Sequence, residues 1–248
     1  MADIWSALEK RVRTAGGTPL VTYVDATTSE RTELSATSLA NAAAKIANAL
    51  RDEYDLEAGS RISIDLPLHW QRSAWCAGAW TAGCSVRPGL DEADLVVTSA
   101  AHAQRAATLS SPAVAVSLHP FGLPLTDALP VGITDATLAV RQQPDAYLFE
   151  RPQAGDLALV LDSGSLTQAQ LLDAASALAD QCGLVDGGRL LVLDTASDTT
   201  SDDVDRWLAG LAVPLVRDAA VVLVTGPSVE ALTSLAATER ITATLSAG

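Results

Sequence analysis

The sequence predicts an α/β fold of two similar layered sub-domains, each with a largely parallel sheet. Three observations carry that expectation. Segments of the same character recur in the same order in both halves, which argues for two structurally similar units. Two helices present apolar stripes rich in alanine, small enough to lie close against a sheet. Uninterrupted apolar runs, residues 157–161 and 221–224 among them, suit strands buried on both faces, as parallel strands require.

In chain order, Ser35 is placed to cap a helix whose stripe is Leu39, Ala42, Ala43, Ile46, Ala47 and Leu50, the i, i+3, i+4 spacing of one helical face. Gly59-Ser60-Arg61 then leads into an apolar run over 62–66. A helix centred on Trp75-Cys76-Ala77-Gly78 follows, and a second apolar run over 94–98 closes the unit. The second half repeats the plan. Thr167 with Gln170 forms a capping box, ahead of a stripe of Leu171, Ala174, Ala175, Leu178, Ala179 and Cys182. Gly187-Gly188-Arg189 leads into a run over 190–194, Trp207-Leu208-Ala209-Gly210 marks a helix, and a run over 220–225 closes the unit. Between the halves, Pro120, Pro124, Pro130, Pro144 and Pro152 predict an extended connection, because proline fixes φ and removes a donor. The boundary therefore falls near residue 140, giving sub-domains 1–139 and 140–248 that can close into one compact domain.

Thirty acidic against sixteen basic residues leave a net charge of −14. Such a surface repels phosphate backbones and anionic lipid, so neither nucleic acid nor membrane is expected as a partner. The N-terminus lacks the basic and apolar blocks of a secretory signal. The greasiest stretch, 211–224, is interrupted by Pro214, Arg217 and Asp218, too broken for a membrane span. A cytoplasmic location is the expectation. Cys76, Cys84 and Cys182 sit in apolar helical text and read as free thiols, with no ligand spacing for a metal.

The text around Gly59-Ser60-Arg61-Ile62-Ser63-Ile64-Asp65-Leu66-Pro67 and Ala82-Gly83-Cys84-Ser85-Val86-Arg87-Pro88 resembles the opening of the adenylate-forming (AMP-binding, acyl-CoA synthetase and luciferase) enzymes. Leu211-Ala212-Val213-Pro214-Leu215, the run over 221–224 and the closing 240–245 resemble the stretch after that family's phosphate-binding loop. The run Val116-Ser117-Leu118-His119-Pro120-Phe121-Gly122 further resembles a group of short, uncharacterised bacterial proteins distantly related to that superfamily. The resemblance covers roughly residues 18–118 and 157–245, and implies the fold more strongly than the activity.

It also implies where a nucleotide loop would stand. The family's Thr-Ser-Gly-Thr-Thr-Gly-x-Pro-Lys-Gly cradle corresponds to Leu161-Asp162-Ser163-Gly164-Ser165-Leu166-Thr167. Ser163, Gly164 and Ser165 match its start, and Thr167 supplies a further hydroxyl. The second glycine, the proline, the lysine and the last glycine have no counterpart, and Asp162 adds a carboxylate where phosphates would lie. Lys10 and Lys45 are the only lysines in the chain. The family's ribose-binding Asp, hinge and C-terminal catalytic lysine would lie beyond Gly248. The expectation is therefore a module for binding or assembly with no catalytic residues and no cofactor, acting as a homodimer or with a protein partner. The alternative is a nucleotide- or acyl-handling enzyme that binds AMP or ATP weakly at Ser163, Gly164, Ser165 and Thr167, or that is completed by a partner chain.

Other residues read more simply. Asp194 is a strand-end turn residue, because neither a second acid at 196 nor a later lysine accompanies it. Asp198, Asp202, Asp203 and Asp205 are helix-start caps and solvated acids rather than a cation site. His69, His102 and His119 lack partners at recognisable spacing. Trp70, Trp75 and Trp80, five residues apart, spread around their helix, so at least one reaches a surface or groove.

Overall fold

A computed structural model describes residues 3–194, 203–226 and 229–245. Twelve strands among these residues form two sheets, and the strands of the second half each have a counterpart in the first. Helix α1 (Ile4–Ala15) precedes the hairpin β1 (Pro19–Asp25) and β2 (Glu30–Ser35). Then come α2 (Ala36–Asp52), β3 (Arg61–Asp65), α3 (Trp70–Thr81), β4 (Ser85–Pro88) and β5 (Leu95–Ser99). A 3₁₀ turn, α4 (Ala103–Ala106), β6 (Ala113–Val116), β7 (Ile133–Asp135) and α5 (Ala136–Arg141) complete the first half. The second runs through the hairpin β8 (Leu157–Leu161) and β9 (Gly164–Thr167), α6 (Gln168–Gln181), β10 (Arg189–Leu193), α7 (Val204–Ala209), α8 (Ala212–Val216), β11 (Ala220–Thr225), α9 (Val229–Thr238) and β12 (Ala243–Thr244).

The caps form as the sequence predicts. Ser35 accepts from the Ser38 amide, and Thr167 and Gln170 close a reciprocal capping box on α6. The striped faces are buried: Leu39, Ala43, Ile46, Ala47 and Leu50 on α2, and Leu171, Ala175, Leu178 and Ala179 on α6. These helices, with α1, α3, α7 and α8, form a central layer whose core takes side chains from both sheets, Val21, Ile62, Ile64, Val192 and Leu223 among them. Outside it, α4 covers part of one sheet through Ala103 and Ala106. On the other sheet, α9 lays Leu232 and Leu235 against Val222 and Val224.

The sheets do not divide at residue 140. Their orders are β7-β6-β5-β3-β4-β8-β9 and β12-β10-β11-β1-β2. The first-half hairpin therefore completes the second-half sheet through parallel β1–β11 pairing, Val21 opposite Val221. Reciprocally, the second-half hairpin joins the first-half sheet, Leu159 opposite Val86. The repeat is real, but each unit lends its hairpin to the other.

Topology also corrects the alignment of the two halves. The 220–225 run, β11, corresponds to β4, and β5 corresponds to the short β12. Strand β4 is four residues long and carries Arg87 and Pro88, so it does not read as an apolar run. The proline-rich seam is likewise not wholly extended. Pro130 and Pro144 flank β7 and α5 without interrupting them, and Asp135 caps α5 by accepting from the Thr137 amide.

One ionic network ties the second sheet to the end of α9. Buried Glu239 accepts from Arg31 Nε at 2.8 Å and Arg189 Nη2 at 3.0 Å. The hydrogen bond from Arg31 holds its carboxyl below the usual carboxylate range. Glu239→Ala takes a carboxylate from two guanidinium groups, leaving half-exposed Arg31 with Glu33 at 2.6 Å and Arg189 with the Thr22 hydroxyl at 3.1 Å. The expected loss is roughly 2 kcal/mol in urea unfolding at neutral pH.

Candidate functional site

Ligands of open α/β sheets sit outside the carboxyl ends of the strands, where strand order reverses. In the seven-stranded sheet that point is β3, flanked by β4 on one side and β5 on the other. Strand β3 ends at Asp65, with Thr98 and Ser99 at the end of neighbouring β5.

Asp65 is 1% exposed. Its Oδ2 accepts from Thr98 Oγ1 at 2.9 Å and lies 2.7 Å from His102 Nδ1. A carboxylate only accepts, so Nδ1 carries a proton in this contact. Asp65 Oδ1 is buried with no hydrogen-bond partner among the described residues. The aspartate–histidine pair was not legible in the sequence. The two residues are 37 positions apart, and only parallel β3–β5 pairing brings them together. The sole signal was an acid ending one apolar run and a histidine just after the next.

His69 caps α3, its Nδ1 accepting from the Gln71 amide at 3.1 Å. The ring is buried between Tyr23, with centroids 4.3 Å apart, and Trp70, 5.5 Å apart. Burial alone pushes its pKa down to about 3, so it stays neutral. His119 Nδ1 accepts from the Phe121 amide and organises the turn there.

The stretch matching the nucleotide loop is a tight hairpin. Leu161 pairs with Gly164 and Val160 with Ser165, leaving Asp162 and Ser163 as the two turn residues. Gly164 has φ +150°, a value that side chains rarely adopt. Ser163, Gly164 and Ser165 are exposed, and Thr167 is engaged as the α6 cap. The structure thus keeps these four residues together on one ribbon, with the Thr167 hydroxyl engaged as a cap and Gly164 closing the turn opposite Leu161. Asp162 lies against a cation after all: Arg87 Nη2 reaches its Oδ1 at 2.5 Å, and Arg87 Nε reaches Asp91 at 2.7 Å. With Arg105 these groups line a cavity of about 190 Å³ beneath the hairpin.

The remaining residues fall as follows. Trp70, Trp75 and Trp80 are all buried. Trp80 Nε1 donates to the Ala158 carbonyl at 2.6 Å, and Trp70 and Trp75 line a second cavity between α2, α3 and α5. Cys76 and Cys84 are buried free thiols and Cys182 is a half-buried one. Asp203 caps α7, accepting from the Asp205 amide at 3.1 Å, whereas Asp198 and Asp202 lie outside the described residues. No described helix is long and apolar enough to cross a membrane.

No family model matches the chain. Among solved structures it is similar to an acyl-CoA synthetase from Brucella canis (TM-score 0.79, 19% identity), covering 98% of this chain and 46% of that one. It is also similar to the N-terminal domain of FACL13 from Mycobacterium tuberculosis (TM-score 0.69, 15% identity, 97% of this chain and 62% of that one). A third likeness is to acetoacetyl-CoA synthetase from Streptomyces lividans (TM-score 0.72, 18% identity, 94% and 40%). The chain spans about half the length of these proteins, and at such identities the likeness shows the fold, the one its sequence resembles. The sequence is 39% identical over 240 residues to a TIGR03089 family protein of Mycobacterium tuberculosis, covering 92% of this chain and 91% of that protein. With that identity over nearly the whole of both sequences, the chain belongs to the TIGR03089 family.

Proposed function

We propose that this chain is a binding or assembly module that keeps the fold of the N-terminal part of an acyl-CoA synthetase without adenylating a substrate. The observation that carries the reading is the hairpin at 161–167. A phosphate cradle needs free amides converging on one point and a cation to offset the charge. Here the stretch is a two-residue β-turn closed by Leu161 and Gly164 rather than a loop of converging amides, Thr167 is engaged as a cap, and Asp162 and Asp91 already neutralise Arg87. The rival reading, residual nucleotide handling, leans on Arg87 and Arg105 in the cavity beneath the hairpin. Of the two, only Arg105 has no acid paired with it among the described residues, and it is exposed.

For assembly we put forward a homodimer. Strand β9 is an edge that presents Gly164 and Ser165 to solvent, and a second copy would cover it. Calorimetric titration of ATP with magnesium is expected to give no saturable heat, and light scattering a dimeric mass. Saturable ATP binding that weakens in Ser165→Ala would overturn the reading of a non-adenylating module. A monomeric mass at all concentrations would overturn the dimer.

A further inference from the structure

The second cavity, about 190 Å³ between α2, α3, α5 and the turn at 119–122, is separate from the strand-end site. Its walls are mostly apolar, from Ala42, Ile46, Trp70, Trp75, Val116 and Val140, with Gln71 beside them donating its amide to the Ser117 carbonyl, and the ring of Phe121, 81% exposed, also lines it. An apolar cavity of ~150 Å³ takes one benzene, so this space accommodates a ring with two or three further atoms.

The mouth has a different character. In a chain of net charge −14, the charged side chains lining this cavity are two cations, Lys45 and Arg141. Lys45 is committed, its Nζ donating to the Gln143 carbonyl at 2.5 Å and pairing with Asp145 at 3.0 Å. Arg141 is exposed and has no ion pair or side-chain hydrogen bond with any described residue. Thr137, one helical turn earlier on α5, shares its face and also lines the cavity. An apolar chamber with a few polar groups gathered at its entrance is the ordinary form of a small-ligand site.

We propose that this cavity binds a small apolar anion, a ring or branched chain whose single anionic head meets Arg141 and the Thr137 hydroxyl. The proposal names the ligand class for the binding module described above and rests on that reading. Its test is a titration of the full chain with benzoate, beside its neutral isostere benzamide, followed by tryptophan fluorescence because Trp70 and Trp75 face the space. Benzoate is expected to saturate and to bind roughly tenfold or more tighter than benzamide, the margin of a charge-assisted hydrogen bond. Arg141→Gln, at an exposed position the fold does not need, is expected to erase that margin and leave benzamide binding unchanged. Ala42→Phe, which fills the chamber, is expected to abolish both. A flat benzoate titration, equal binding of acid and amide, or a margin untouched by Arg141→Gln would overturn the proposal. The ATP titration reports on the hairpin alone, so failure here and failure of the non-adenylating reading remain distinguishable.

Discussion

Fragments 1–148 and 149–248, made separately, are expected to lose cooperative unfolding, and to recover it when mixed. The reason is the reciprocal loan of hairpins. Without the second fragment, β1 loses its parallel partner β11, and β1–β2 is left as a two-stranded ribbon on α2 and α3, cut off from the rest of its sheet. Without the first, β8–β9 is equally stranded and Trp80 no longer holds the Ala158 carbonyl. The cut also exposes the central helical layer, where α1 packs on α8 and Ser73 of α3 donates to the Gly210 carbonyl at 2.8 Å. Many fully buried side chains there, Leu8, Leu39, Trp80, Leu190 and Leu223 among them, are each worth about 1.5–3 kcal/mol. Circular dichroism and urea titration of each fragment and of the mixture measure this directly. Independent two-state folding of either fragment would contradict the interlocked topology.

Acid is expected to unfold the protein through His69. Its ordinary pKa near 6.5 falls to about 3 in the folded chain because the ring is desolvated between Tyr23 and Trp70. The unfolded chain takes up this proton below about pH 6.5 and the folded one resists until about pH 3. The contribution is therefore fully present above pH 6.5 and lost as pH falls through that window. By about pH 4 the loss is about 3 kcal/mol. His69→Asn keeps an acceptor for the Gln71 amide but cannot titrate. Its urea midpoint is expected to be lower at neutral pH, from lost ring packing, and to fall less steeply with acid than that of the parent. Parallel pH slopes for the two proteins would show that His69 is not the group responsible.

What the sequence made legible follows from local physics. The caps at Ser35 and Thr167, the two alanine stripes and the apolar strands all depend on neighbours within one or two turns, and all are found. What it hid depends on pairing between distant segments. Which hairpin joins which sheet is decided by contacts between residues such as Val21 and Val221, and no periodicity reports that. Asp65 and His102 are hidden for the same reason. The short strands β4, β7 and β12 escaped because two to four residues leave too little pattern to read. At the matched nucleotide loop the missing lysine and glycines were plain in the text, but the strand pairing that turns the stretch into a tight hairpin was not.

The lending of hairpins between halves also bears on how the chain comes off the ribosome. The amino-terminal ribbon is synthesised first, yet the strand it must lie beside, β11, emerges about two hundred residues later. Its apolar side can rest early on α2 and α3, but one edge of β1 lacks its native partner until then, and contacts of such long sequence separation form slowly. The sheet that holds the amino-terminal ribbon can therefore close only after β11 has been made.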